Sequence, residues 1–264
     1  MKYYKLHLIR HGLTEGNLQG LYIGSGSDLP LCAEGRAQLK TLKKDFDYPQ
    51  VPLVFTSPLR RATETAELLF PGVRQIELED LREMAFGKFE GRAVRELVSD
   101  PEFAQWMDPT SRTVPEGAED RQMFFNRTSS MLMKMFEYML RTHTEEAACV
   151  THGGVIMNML SQHALPFRKP EEWMTDPGAG YSVRLDAEMW MRDHLAEAQS
   201  ALEQAQTALD ADSENADLLA ARDAAQTRVD ELNQTIAEKQ AILDAAPAET
   251  PAPETPAEGE QPAE

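Results

Sequence analysis

Cysteine is almost missing from this chain. The two present, Cys32 and Cys149, stand far apart, and Cys149 sits in an apolar run where a small buried side chain is expected. That excludes a disulfide framework and a clustered cysteine zinc site. Long hydrophobic runs are missing too: no stretch approaches the roughly 18 apolar residues that a membrane span needs. The opening residues, Met1-Lys2-Tyr3-Tyr4-Lys5, run straight into a strand pattern and lack the order of a cleavable signal. A soluble cytoplasmic protein is expected. The last absence is regional. From Asp186 to Ala246 there is neither glycine nor proline, although the chain holds 15 and 16 of them.

Positive charge is also scarce, but only in part of the chain. The formal net charge is −18 over 264 residues. Residues 1–185 carry 22 Lys and Arg against 25 Asp and Glu, whereas residues 186–264 carry 4 against 19. The acidity belongs to the last third and argues against non-specific binding to nucleic acid or to an anionic membrane. Neither is an expected partner. An anionic substrate would have to be recruited by local arginines, because the global field repels it.

The periodicities present point to an α/β chain. Residues 3–10, Leu53–Thr56, Arg74–Leu78, Ala147–Thr151 and Tyr181–Leu185 read as strands. Gly35–Lys44, Leu59–Leu69, Glu119–Arg141 and Val155–Gln162 read as helices, with Pro58 placed in a first helical turn. The Met and Phe residues of Glu119–Arg141 are assigned to the core. Asp80–Val114 reads as irregular. This alternation predicts a three-layer sandwich around a mainly parallel central sheet, in residues 1–186. In residues 187–245, Leu195, Leu202 and Leu209 recur every seven residues, as do Val229, Ile236 and Leu243, with Leu218, Ala225 and Leu232 in a second seam. These heptads, divided by the polar run Asp210–Asn215, predict an antiparallel helical hairpin or coiled coil, in a monomer or a homodimer. Residues 246–264, rich in Pro, Ala and Glu, are expected to be disordered.

Two histidines stand out. Ile9-Arg10-His11-Gly12 and Thr151-His152-Gly153-Gly154 each place a histidine and a following glycine at the end of an apolar strand. In open α/β sheets those strand ends form the ligand crevice. Ser57-Pro58-Leu59-Arg60-Arg61-Ala62 adds two arginines at a helix start, a place that already favours anions. Leu81-Arg82-Glu83 offers a carboxyl group, and Thr14 and Asn17 offer side-chain donors just after His11. The combination points to chemistry on an anionic group.

Four segments together resemble the histidine phosphatase superfamily, the phosphoglycerate mutase-like proteins. They are Leu8-Ile9-Arg10-His11-Gly12-x-Thr14-x-x-Asn17, Ser57-Pro58-Leu59-x-Arg61-Ala62-x-x-Thr65-Ala66, Leu81-x-Glu83-x-x-x-Gly87-x-Phe89-Glu90-Gly91 and Thr151-His152-Gly153-Gly154. Pro115-Glu116-Gly117-Ala118-Glu119 resembles the family's entry to a long helix, on which Arg127 lies.

The resemblance implies that His11 is a nucleophile taking a phosphoryl group onto a ring nitrogen. Arg10, Arg61 and His152 would surround the phosphate, with Asn17, Gly24 and the backbone at Gly153 as further substrate-binding positions. Glu83 would protonate the leaving alcohol and then deprotonate water; Glu90 would support its loop, and Arg60 would be solvated. A neutral imidazole suits this role near pH 7, and its ordinary pKa near 6.5 predicts a fall in rate on the acid side. The motifs contain no Mg²⁺ carboxylate cluster, so no metal and no cofactor is expected. Leu13, Cys32 and the spacing from Gly24 to Asp28 depart from the common pattern, at the rim of the pocket. The chain also lacks the insertions typical of phosphoglycerate mutases. The implied function is a metal-independent phosphomonoesterase acting on a small phosphorylated metabolite through a phosphohistidine. The alternatives are mutase-type phosphoryl transfer, or a non-catalytic binding protein on the same scaffold.

Overall fold

The computed structural model describes residues 3–108, 111–213 and 215–245. The expected disordered segment, 246–264, lies outside them. The chain forms two compact units, Tyr3–Asp186 and one that contains all described residues from Ala187 onward.

In chain order the first unit comprises β1 (Tyr4–Arg10), α1 (Glu15–Leu18), α2 (Ala33–Asp45), β2 (Leu53–Thr56), α3 (Arg60–Leu69) and β3 (Arg74–Glu77). It continues with α4 (Val94–Leu97), α5 (Pro101–Met107), α6 (Arg121–Thr142), β4 (Glu146–Thr151), α7 (Gly153–His163) and β5 (Gly180–Leu185). The sheet runs β3-β2-β4-β1-β5. Four strands are parallel, and β5 closes one edge antiparallel to β1, with His7 opposite Ser182.

The strand pattern explains the layers. On one face Ile9, Val54, Ala148 and Val150 pack with Leu39 of α2 and with Ala62, Ala66 and Leu69 of α3. Side chains of opposite parity serve the other face, where the Tyr4 and Phe55 rings meet Phe136 and Tyr138 of α6 at 5.6 and 5.7 Å. Residues buried on both faces give continuous apolar strands, as a covered parallel sheet requires.

Two local readings need correction. Pro58 is not in the helix: Leu59 is an extended N-cap and α3 starts at Arg60. The reason is tertiary, since Asp28 Oδ1 accepts the Arg60 N–H at 2.7 Å and caps the helix from a distant loop. The irregular stretch Asp80–Val114 also contains α4 and α5, whose Leu97 and Trp106 join Phe86 and Phe89 in a small core.

The second unit is a hairpin of α8 (Ala187–Ala211) and α9 (Ala216–Ala245). Ala198 and Val229 are buried, with Leu195 and Leu202 packed against them, so the two heptad seams face each other. Asn215 caps α9, its Oδ1 accepting the N–H groups of Asp217 and Leu218.

Candidate active site

The carboxyl ends of β1, β2 and β4 lie side by side, because these strands are parallel neighbours. They deliver Arg10 and His11, then Ser57, then His152 to one edge of the sheet. Both histidines are buried, and their rings lie 5.1 Å apart, edge to face. His11 Nδ1 donates to its neighbour's carbonyl, Gly12 O, at 2.7 Å. That bond fixes the tautomer, and the lone pair sits on Nε2. Gly12 is held in turn, its N–H donating to Thr65 Oγ1 at 2.9 Å.

Arg61, on the first turn of α3, is 1% exposed. Its Nη1 and Nη2 donate to Ser27 O and Gly24 O at 2.7 and 2.9 Å. Arg10 Nη1 donates to Thr175 O at 2.6 Å, while the Arg10 backbone carbonyl takes the Gly178 N–H. His152 Nε2 meets Ser57 Oγ at 2.8 Å. With Ser57 donating, the neutral His152 ring carries its proton on Nδ1. Each of the three side chains is thus anchored by one end. The other end is left: Arg10 Nε, Arg61 Nε and His152 Nδ1 are buried without a hydrogen-bond partner. Buried donors without partners are costly, and three around one imidazole form a recess for oxygen atoms that carry negative charge.

Glu83 is buried at the same place. Its carboxylate accepts the Met84 N–H at 3.0 Å and the Gly154 N–H, from the first turn of α7, at 2.9 Å. Gly154 is needed for that approach, since a Cβ there would collide with Glu83 Oε1. Nearby, Tyr22 stacks on Phe86 at 4.0 Å and meets Phe103 edge to face.

Burial dominates the electrostatics. His11 is pushed down to about 3, by burial first and then by the positive charge of Arg61; the bond to Gly12 opposes this, and Arg10 adds to the lowering. His152 is also held well below the usual histidine value, for the same leading reason. An acid limb set by His11 would therefore lie well below that of an ordinary imidazole. Glu83 moves the other way: burial raises its pKa, against two backbone N–H donors and the charges of Arg61 and Arg10. A neutral imidazole and a proton-holding carboxyl in one recess can act as nucleophile and acid.

The remaining sequence candidates fall as follows. Asn17 accepts from Thr14 N and Oγ1 in a capping box at α1, which leaves its amide nitrogen available to a ligand. Gly24 has both backbone groups engaged, its N–H by Glu90 Oε1 at 2.7 Å and its carbonyl by Arg61. It therefore supports Arg61 and has no donor free for a ligand. Gly153 opens α7 beside Arg10. Glu90 also reaches the Phe86 N–H and so ties the two loops together. Arg60 is exposed and pairs with Glu64. His7 bonds Ser182 and Glu146 and lies outside this cluster. Ser57, Thr65, Ser27 and Thr175 were not singled out for these roles in the sequence. Ser57 could have been, as the first residue of its motif. Thr175 carries no local signal at all. Among the described residues no group of three or more His, Cys, Asp or Glu is placed to hold a metal ion, and no helix is long and apolar enough to cross a membrane.

Comparison with known proteins agrees with this geometry. The profile of the histidine phosphatase superfamily (branch 1) matches residues 6–198. The chain belongs to that superfamily. It is 32% identical over 162 residues to the adenosylcobalamin/alpha-ribazole phosphatase of Salmonella typhimurium, an alignment spanning 60% of this chain and 78% of the relative. Among solved structures, the alpha-ribazole phosphatase from Shigella flexneri matches with a TM-score of 0.58 at 28% identity, over 69% of this chain and 90% of that one. A phosphoglycerate mutase from Thermus thermophilus matches with a TM-score of 0.52 at 33% identity, over 69% and 93%. These likenesses to phosphatases make the chain a phosphatase of the histidine type.

Proposed function

We propose that the chain is a phosphomonoesterase that hydrolyses a small phosphorylated metabolite, without a metal, through a phosphohistidine on Nε2 of His11. One observation carries the reading: a buried imidazole, locked by Gly12 with its lone pair on Nε2, lies among three buried polar atoms that lack partners. In the first half-reaction Nε2 attacks phosphorus. Arg10, Arg61 and His152 bond the equatorial oxygens, and Glu83 gives its proton to the leaving alcohol. In the second, Glu83 takes a proton from water as that water attacks the phosphohistidine, which releases phosphate and restores both groups. Asn17 and the N–H at Gly153 add donors at the rim. Phosphoryl transfer needs mainly positioning and charge stabilisation, and rigid cations supply both.

Rapid-quench labelling tests this. A phosphoenzyme that is labile in acid and stable in base should form with substrate in EDTA and be absent in His11→Ala. Labelling of His11→Ala at the wild-type level would overturn the nucleophile. Loss of activity in EDTA with rescue by one divalent ion would overturn the metal-free route. A panel containing alpha-ribazole phosphate, phosphoserine, sugar phosphates and phosphoglycerates would identify the substrate. Transfer between the two hydroxyls of phosphoglycerate without release of phosphate would instead favour a mutase.

A further inference from the structure

The segment that presents Glu83 has little structure of its own beyond a 3₁₀ turn at Glu79–Leu81. Yet each backbone carbonyl from Asp80 to Glu83 is bound by a side chain from elsewhere. Arg127, on α6, donates through Nη1 to Asp80 O at 2.6 Å and to Arg82 O at 2.7 Å, and through Nη2 to Glu83 O at 3.2 Å. Thr151 Oγ1 donates to Leu81 O at 2.8 Å. Arg127 is itself gripped by Glu119, Nε to Oε1 at 2.6 Å and Nη2 to Oε2 at 2.8 Å. All five guanidinium N–H groups are thereby used, and the Phe124 ring packs against the guanidinium at 4.9 Å. Glu119 is braced as well, since its N–H donates to Ala85 O and its carboxylate accepts the Ala85 N–H.

Fold stability alone does not call for four directed side-chain bonds on the one loop that carries the acid. We propose that Arg127, held by Glu119, is a positioning residue that sets where the Glu83 carboxyl lies and so enables proton transfer to the leaving group, without touching substrate. The inference rests on the reading of Glu83 as the general acid. Lysine keeps the charge but has only three donors from one centre, so Arg127→Lys cannot reproduce the fork. A displacement of the carboxyl by about 1 Å costs on the order of 10² in rate.

Leaving-group dependence separates this role from a structural one. p-Nitrophenyl phosphate expels a stable phenolate and needs little protonation, whereas glycerol phosphate expels an alkoxide and depends on the acid. Arg127→Lys and Glu119→Gln should each lose about 10² in kcat/KM on glycerol phosphate. On p-nitrophenyl phosphate the loss should stay within about tenfold, below the usual worth of a general acid. Glu83→Gln should show the same split, and adding Arg127→Lys to it should cost little more, because both act on one step. Equal losses on the two substrates, in variants with the wild-type circular dichroism spectrum and Tm, would overturn the positioning role. So would the absence of any loss. If Arg127→Lys fails to fold, Glu119→Gln decides alone. If Glu83→Gln itself lacks the split, the fault lies with the acid assignment, and both readings fall.

Discussion

The two units bury different things. In Tyr3–Asp186 the buried set includes His11, Ser57, Arg61, Thr65, Glu83, Thr151 and His152 beside an apolar core. In the hairpin the buried residues among those described are Ala198, Leu209 and Val229, all apolar. A helical pair whose buried residues are apolar is stabilised by most of the contacts it makes. The sheet unit accepts the desolvation cost of charged and polar groups at one edge, and offsets it with the cores on both faces of the sheet. The difference locates function where the folding penalty is concentrated.

The strongest way to break this comparison is to remove the proposed nucleophile. His11→Ala should abolish turnover and phosphoenzyme formation together, while the melting temperature holds or rises because a buried imidazole is gone. Residual turnover near the wild-type rate, measured with p-nitrophenyl phosphate, would move the chemistry elsewhere.

Next is Gly154→Ala. The added methyl group meets the tip of the Glu83 side chain, so the carboxyl must move while the backbone of α7 stays helical. A loss of about 10² in kcat is expected on an alkyl ester, with KM little changed. A loss confined to KM would mean that Gly154 serves substrate binding instead.

The pH profile sharpens the contrast at a smaller scale. With His11 held down to about 3, kcat/KM should not fall between pH 7 and pH 5 through protonation of that ring. It should fall as pH rises through the raised Glu83 pKa, since the acid form is lost. The sign for stability follows. Because the folded protein binds the Glu83 proton more tightly than the unfolded chain, Glu83 costs stability once pH exceeds its ordinary value of 4.5, progressively until its folded pKa is passed. Glu83→Gln should therefore raise Tm at pH 8 relative to pH 4.5 when each is compared with wild type. His11 and His152 act oppositely, and stability should be lost as pH falls below 6.5 towards their lowered values.

The smallest effect on catalysis should come from the hairpin. Val229→Asp places a charge in its apolar seam and should reduce helical circular dichroism, with kcat/KM unchanged. A chain ending at Asp186 should behave the same way where it remains folded. A large drop in kcat/KM in either variant would give the hairpin a part in catalysis. Light scattering on the full chain would decide between monomer and homodimer.

What could be read in advance follows from the range of each interaction. Short, largely apolar runs located the central strands of the sheet, and the heptads of Leu195, Leu202 and Val229 located the hairpin, because those signals are local. The four motifs brought Arg10, His11, Arg61, Glu83 and His152 into view before any geometry. The antiparallel direction of β5 was not readable, since its Tyr181–Leu185 pattern carries no sign of which neighbour it joins. The short helices α4 and α5 were missed because helices of so few turns depend on packing. Their Leu97 and Trp106 find it on Phe86 and Phe89. Asp100-Pro101 did hold a cap signal: Asp100 Oδ1 accepts the N–H groups of Glu102 and Phe103. Thr175 and Ser27 hold the arginines through backbone carbonyls, which every residue type possesses, so no side chain advertises them.

The rigid anchoring of Arg10 and Arg61 carries a cost for throughput. In the proposed mechanism, donors fixed by Thr175, Ser27 and Gly24 would recognise the oxygens of a phosphoryl group and take no account of what is attached to it. Orthophosphate, the product of that reaction, presents the same oxygens and one more, so the product would compete for the recess that made it. Turnover should slow as free phosphate accumulates, and orthophosphate should raise Tm in proportion to the logarithm of its concentration once the recess is saturated. The protein would thereby be throttled by the phosphate level of its surroundings, with no second site required.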